Sequence, residues 1–306
     1  MGEQVGTSIH SGLSLIEKSE FDRFRSLNSL SGADRAALFA DACRLNTLYM
    51  IARAGSGHIG SSYSSMDMVT WLHLEKLRND DLYFSSKGHD APGLYAVLAA
   101  IGKLPFDKIH GLRRLGGLPG HPDVDVPGMV VNSGSLGMGI SKAKGIVEAD
   151  RREGRRRRIY VILGDGELQE GQVWESLVSA ANSGMGEITA IVDHNKLQSD
   201  FLVKLTSDLG DLEAKFGAFG WHVERCDGHD IMAFDAALGH CAAATGMPGV
   251  VIADTVKGRG VSFMEHTAME SDAELYRFHS GAPDADSYRR AADELIARIE
   301  ARLAAA

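Results

Sequence analysis

Two continuous apolar runs joined by a helix-patterned segment constrain this chain more than any other stretch. Ile159 to Leu163 and Ile188 to Val192 are dominated by β-favouring residues with almost no polar alternation, as strands buried on both faces are. Between them Val173, Trp174, Leu177, Val178 and Ala181 fall on one helical face from Gln172 to Asn182, and Ser183-Gly184 supplies a stop. Two strands joined through a helix run parallel with a right-handed crossover, so their carboxyl ends open on the same side of one sheet. The expectation is an α/β fold, a doubly wound, mostly parallel sheet flanked by helices.

Asp165 and Asn195 follow those two strand ends. Ligands of doubly wound sheets bind outside the carboxyl ends of the strands, and a carboxylate with an amide oxygen is a hard donor pair suited to Mg²⁺ or Ca²⁺. Taken alone, Asp165-Gly166 also reads as a common turn pair, with Asp165 capping a helix and Asn195 holding a turn.

With 306 residues, 44% apolar and 24% charged, the chain is long enough for one large domain or two small ones. A net charge of −9 argues against non-specific nucleic-acid binding. The three cysteines, Cys43, Cys226 and Cys241, are odd in number and lack CxxC spacing, which favours a reducing cytoplasm. The first residues lack a basic stretch followed by an apolar one, and no apolar run approaches the roughly 18 residues of a membrane span. Neither export nor membrane insertion is expected.

Taken in order, residues 1–33 read as a polar leader with a weakly amphipathic segment from Leu13 to Phe24, and a helix is expected over Asp34 to Arg53. It runs into a glycine-rich end carrying His58. A helix from Ser65 to Leu77 and a strand from Leu82 to Ser85 lead to Lys87-Gly88-His89-Asp90. The Asp90 carboxylate is expected to raise the His89 pKa, and Lys87 on its own reads as a solvated charge. His121 is a third glycine-flanked histidine, and the spacing of the three is far from any local zinc pattern. Asn132 to Gly139, between apolar Val130-Val131 and a helix from Ile140, suits an anion at a helix N-terminus. The basic run Arg151 to Arg158 precedes the first apolar strand, at the sheet edge opposite the expected site, and reads as a solvated face. Further strands at Trp221 to Glu224 and Val250 to Ala253, Lys257 beyond the latter, and a helix from Ala285 to Ala306 complete the reading.

Gly164-Asp165-Gly166, with Asn195 after 28 intervening residues, resembles the thiamine diphosphate motif, and Glu167 to Gln172 is similar to transketolase. The loops at Ser56 to Gly60, Lys87 to Pro92 and Gly120 to Pro122, the glycine loop Gly134 to Gly139, and Lys257 to Glu265 carry the same resemblance. Three departures stand out: Ile59 where a proline is usual, Met138 where a glutamine is usual, and an insertion from His266 to Arg277 before His279.

The resemblance implies thiamine diphosphate with Mg²⁺ (or Ca²⁺) held by Asp165, Asn195 and the backbone oxygen of Leu197. It implies cofactor contacts from Gly134, Ser135, Leu136, Gly164, Gly166, Gln198 and Lys257. His58, His89, His121 and His279 would move protons and bind sugar hydroxyls, with His266 a rival for the last role, and Glu170 would join a carboxylate relay. It covers Asp34 to Leu303 but only the first part of a full-length transketolase. It therefore implies the N-terminal subunit of a split transketolase, with residues 34–306 as the cofactor-binding domain. The partner would be a C-terminal subunit carrying the pyrimidine-binding and C-terminal domains, in an α2β2 assembly acting on sugars or sugar phosphates. The alternatives are the α subunit of a 2-oxo acid dehydrogenase and a non-catalytic cofactor-binding homologue.

Overall fold

The computed structural model describes residues 5–78 and 80–306. A hairpin of β1 (Thr7–His10) and β2 (Leu13–Ile16) is followed by α1 (Lys18–Ser26) and the long α2 (Gly32–Ala54). Next come α3 (Ile59–Ser64), α4 (Met66–Trp71) with a π turn over Leu72–Lys76, β3 (Leu82–Ser85) and α5 (Ala91–Ala100). After a loop-rich stretch, α6 (Gly139–Arg152), β4 (Ile159–Gly164), α7 (Gly171–Asn182) and β5 (Ile188–His194) form the unit that the apolar runs predict. A small hairpin of β6 (Leu197–Gln198) and β7 (Phe201–Leu202) leads to α8 (Val203–Thr206) and α9 (Leu212–Ala218). Finally β8 (His222–Asp227), α10 (Ile231–Ala243), β9 (Gly249–Asp254) and α11 (Ala285–Ala304) close the fold.

The main sheet has the order β3-β4-β5-β9-β8 and every pairing in it is parallel. Right-handed crossovers decide which face each helix covers. The steps β3→β4, β4→β5 and β5→β8 all move one way across the sheet, and α6, α7 and α9 pack on one face through Ile140, Val147, Val173, Leu177, Leu212 and Phe216. The step β8→β9 moves back, and α10 lies on the other face with α2, α4, α5 and α11. Alternate residues of β4 feed the two cores: Ile159, Val161 and Leu163 one side, Tyr160 and Ile162 the other. This two-sided burial is why the strand shows no polar alternation.

The leader, of which residues 1–4 lie outside the described residues, packs against the body. Ser11 and Gly12, at φ 54 and 78, make the two-residue hairpin turn. Leu15, Ile16, Phe21 and Phe24 are buried in the same core as α2, with the Phe21 ring 5.3 Å from that of Phe39. The basic run lies at the amino-terminal edge of the sheet, where Arg155 and Arg157 pair with Asp150 and Arg151 with Glu187. Among the described residues no helix is long and apolar enough to cross a membrane.

Candidate active site

The carboxyl ends of β3, β4, β5 and β9 surround a cavity of about 390 Å³. Each end delivers a polar residue: Lys87 after β3, Asp165 after β4, Asn195 after β5 and Lys257 after β9. This is the site expected of strands that share one direction.

Four histidines line the cavity. The His58 ring centroid lies 5.2 Å from His89, 5.2 Å from His279 and 6.4 Å from His121, and His89 and His279 are 5.7 Å apart. Loops separated by more than 200 residues thus converge on one point. His266 lies elsewhere: its Nδ1 accepts the backbone N–H of Lys257 at 3.0 Å, and it lines a neighbouring cavity of about 470 Å³. Burial, with help from Arg113, His121 and Lys257, lowers the His58 pKa to about 4. Burial, Lys257 and His58 lower that of His279 to about 3. All four rings are pushed down, so at neutral pH they are uncharged. The Asp90 carboxylate does not raise His89 as expected; burial and the Lys87 ammonium push that ring well below its ordinary value. Asp90 instead accepts from Ser85 at 2.6 Å and lies 3.4 Å from Lys87. His89 Nδ1 is 3.0 Å from the Lys87 carbonyl, which can only accept, so Nδ1 carries the proton and Nε2 is an acceptor.

Beneath the histidines is a charged floor, of which the sequence reading named Asp165, Asn195 and Lys257 but neither Asp193 nor the burial of Lys87. Lys87 is 1% exposed, not a solvated charge, and its Nζ donates to Asp193 at 2.6 Å. Asp193, fully buried, also accepts from Ser64 at 2.6 Å, Thr255 at 2.5 Å and the Asn195 amide at 3.2 Å. That last contact turns the Asn195 oxygen the other way, where it accepts from Leu197 N at 3.2 Å and keeps a second lone pair. Asp165 accepts from Gly166 N at 2.8 Å and from Lys196 N. Burial, and then the nearby Asp193, raise the Asp165 pKa to about 6. Burial lowers that of Lys257 to about 8 although Asp165 and Asp193 oppose it. A divalent cation beside Asp165 and an anion beside Lys257 would relieve both perturbations.

Unpartnered polar atoms, acceptors as well as donors, also line the cavity, as a polar cofactor and a sugar require. His58 Nδ1, Ser61 Oγ, Gln198 Oε1 and His279 Nδ1 are buried without a hydrogen-bond partner among the described residues, and all four residues line the cavity. Leu197 and Gln198 form β6, whose hairpin turn places Ser199 at φ 45, and the Ser199 carbonyl accepts from Lys257 Nζ at 2.8 Å. Gly134, Leu136, Gly164, Gly166 and Glu170 also border the cavity, with Glu170 exposed at its rim. Ser135 is exposed and does not line it.

The glycine loop differs from expectation in one respect. Two of the N–H groups leading into α6 are already taken by protein oxygens: Gly137 N donates to Glu167 at 2.7 Å and Gly139 N to Ser86 at 3.0 Å. Glu167 is 3% exposed, and burial raises its pKa against the hydrogen bonds it accepts. It opens the Glu167 to Gln172 run that carries the resemblance, but nothing local shows that its carboxylate turns inward. Asp193 has a clearer signal, a charge closing an otherwise apolar strand.

The family model described as the transketolase, thiamine diphosphate binding domain matches residues 35–277. The chain is 36% identical over 237 residues to the 6-deoxy-6-sulfo-D-fructose transketolase subunit SqwG of Clostridium sp. (strain MSTE9), covering 74% of this chain and 86% of that protein. It is 37% identical over 253 residues to an apulose-4-phosphate transketolase subunit of Actinobacillus succinogenes, covering 78% and 87%. Among solved structures, a transketolase variant from Pichia stipitis superposes with a TM-score of 0.76 at 26% identity, and the Leishmania mexicana transketolase with 0.73 at 25%. Each covers 90% of this chain, whereas the chain spans 44% and 46% of those proteins, less than half their length. Family match, cavity and subunit-length relatives agree: the chain belongs to the transketolase family, as the thiamine diphosphate-binding N-terminal subunit of a two-chain enzyme.

Proposed function

We propose that this chain, with a C-terminal partner subunit, transfers a two-carbon ketol unit from a ketose donor to an aldehyde or aldose acceptor. The observation that carries the reading is the convergence of four uncharged histidines over the Asp165, Asn195 and Lys257 floor. Bound thiamine diphosphate supplies the carbon nucleophile and the electron sink of such a reaction. Asp165, the Asn195 oxygen and the Leu197 carbonyl hold Mg²⁺ (or Ca²⁺), and Lys257, Gln198, Gly164, Gly166, Gly134 and Leu136 receive the rest of the cofactor. Ser135 stands outside this set.

His58, His89, His121 and His279 act on the sugar. Neutral rings donate from one nitrogen and accept at the other, which suits paired hydroxyls and proton transfer to and from them. The acceptor Nε2 of His89 is the best defined of these groups. Glu170, exposed at the rim, joins a carboxylate relay with the partner.

Two relatives are named for sugars with an anionic substituent, a 6-sulfo fructose and apulose 4-phosphate, which supports a phosphorylated or sulfonated sugar as substrate. The partner carries the pyrimidine-binding and C-terminal domains, in an α2β2 assembly. We assign residues 34–306 to the cofactor domain and 1–33 to a leader packed on it; a family match beginning at residue 35 supports that boundary. Three free cysteines support a cytoplasmic setting.

The test is reconstitution with a C-terminal transketolase subunit from the same organism, Mg²⁺ and thiamine diphosphate, followed by donor and acceptor screening. Ketol transfer by the pair and none by either chain alone is expected. Turnover by this chain alone overturns the split reading, and oxidation of a pyruvate-type substrate with an electron acceptor selects the 2-oxo acid dehydrogenase instead.

A further inference from the structure

We propose that Glu167 is a positioning residue that serves as a built-in anion, joining three segments of the cofactor cradle. The proposal rests on the thiamine diphosphate reading of the cavity. One carboxylate touches all three segments. Its Oε1 accepts from Ser86, just past β3, and from Gly137 N at 2.7 Å in the glycine loop. Its Oε2 accepts from Gly164 N at 3.0 Å at the end of β4. Ser86 passes the contact on, since its Oγ accepts from Gly139 N at 3.0 Å as α6 begins.

The packing forces this closeness. A Cβ on Gly139 would lie 2.4 Å from Ser86 Cβ and 2.8 Å from Val161, and one on Gly137, at φ +79, would lie 2.7 Å from Glu170 Cβ. Gly139 therefore brings the backbone onto Ser86, and Gly137 lets it pass Glu170 closely enough for its N–H to reach Glu167. Loop N–H groups entering a 14-residue helix ordinarily attract an external anion. Here the protein's own carboxylate takes that place, and Ser86 takes the next donor.

Glu167→Gln tests this in the full chain. Glutamine keeps the volume but offers one acceptor oxygen, so its NH₂ must face either Gly164 N–H or the Gly137 and Ser86 donors. Loss of one charge-assisted bond of this kind raises the Kd for thiamine diphosphate with Mg²⁺ about 10- to 100-fold. Backbone hydrogen exchange over residues 134–140 and at Gly164 should accelerate in the same variant without cofactor. In Glu167→Ala, formate should restore both readouts in a concentration-dependent manner, whereas chloride at equal ionic strength should not. Unchanged exchange and unchanged Kd in Glu167→Gln overturn the proposal, as does a folded Glu167→Ala indifferent to formate. If Glu167→Ala does not fold, Glu167→Gln decides. A wild-type complex with its partner subunit that binds no thiamine diphosphate refutes the functional reading instead, and the exchange experiment still judges Glu167.

Discussion

Replacing Lys87 by methionine is the sharpest test of the charged floor. The change keeps most of the aliphatic volume and removes the one ammonium that faces Asp193 at 2.6 Å and Asp90 at 3.4 Å, both carboxylates being 3% exposed or less. Removing one partner of a buried pair costs about 3–5 kcal/mol, because the other charge is left unpaired. Asp193→Asn should cost less, about 2–3 kcal/mol, since Lys87 still reaches Asp90 and the Ser61 carbonyl at 3.1 Å. The double variant should recover about 2 kcal/mol of the summed cost, as contacting residues do in a cycle. The sign of the pH dependence is also fixed. Burial pushes Asp193 up, and Lys87 more than reverses it with help from Ser64 and Thr255, so that the carboxyl sits below its ordinary value of 3.8. Without Lys87 that reversal is lost, the carboxyl takes up a proton more readily, and the penalty of Lys87→Met shrinks as pH falls from 7 to 5. Urea unfolding midpoints of the four proteins at both pH values give all these quantities. Additive single costs, or a Lys87→Met cost under about 1 kcal/mol at pH 7, would refute the ion-pair account.

Three further outcomes follow from the geometry. Gly139→Ala, whose methyl would meet Ser86 and Val161 below 3 Å, should destabilise by about 2 kcal/mol or more, whereas Gly145→Ala, with nothing within 4 Å inside α6, should stabilise by about 0.5–1 kcal/mol in thermal melts. His58 falls from 6.5 to about 4 on folding, so the unfolded chain binds more protons in that window; stability is complete above pH 6.5 and declines as pH drops toward 4. Each tenfold change in proton affinity carries about 1.4 kcal/mol, and solvent screening at the cavity mouth brings the sum to about 2 kcal/mol, which His58→Asn should remove from the slope of urea midpoint against pH. Thiamine diphosphate with Mg²⁺ at 100 times its Kd should stabilise the chain by about 2.7 kcal/mol, and chelation or Asp165→Asn should abolish that gain in the melting curve.

What the sequence disclosed depends on how local each feature is. The strands from Ile159 and Ile188 were legible because burial on both faces writes itself into consecutive residues. The histidine loops were found through the resemblance rather than any period, since His58 and His279 meet only in space. Lys87 was misread because its anion lies 106 residues away on another strand, and Asp193 in turn depends on Ser64, 129 residues back. Burial, which no local pattern gives, lowers His89, and its neighbour Asp90 is turned toward Ser85 and Lys87. The hairpin near the amino end had a local signal, Ser11-Gly12, that the amphipathic pattern over Leu13 to Phe24 obscured. The choice between His266 and His279 turns on an insertion whose path no pattern gives; the structure puts His279 beside His58 and leaves His266 bonded to Lys257 N.

A support layer reaches the site from the opposite face of the sheet. Arg44 on α2, 1% exposed, pairs with Asp67 on α4 at 2.6 Å, and Asp67 meets His229 Nδ1 at 2.8 Å. His229 Nε2 accepts the Val256 N–H at 2.8 Å, so its proton sits on Nδ1 and is donated to Asp67. Val256 immediately precedes Lys257, and Thr255 before it holds Asp193. The segment after β9 is thus gripped from two directions, by His229 from the helical layer and by Asp193 from the floor. Lys257 faces the cavity as a lysine whose charge burial disfavours, and a group in that state is useful only where its backbone cannot retreat toward water. The double grip supplies that restraint, and Lys257, with a pKa lowered to about 8, is still mostly charged at neutral pH and held at the cavity beside Asp165 and Asp193.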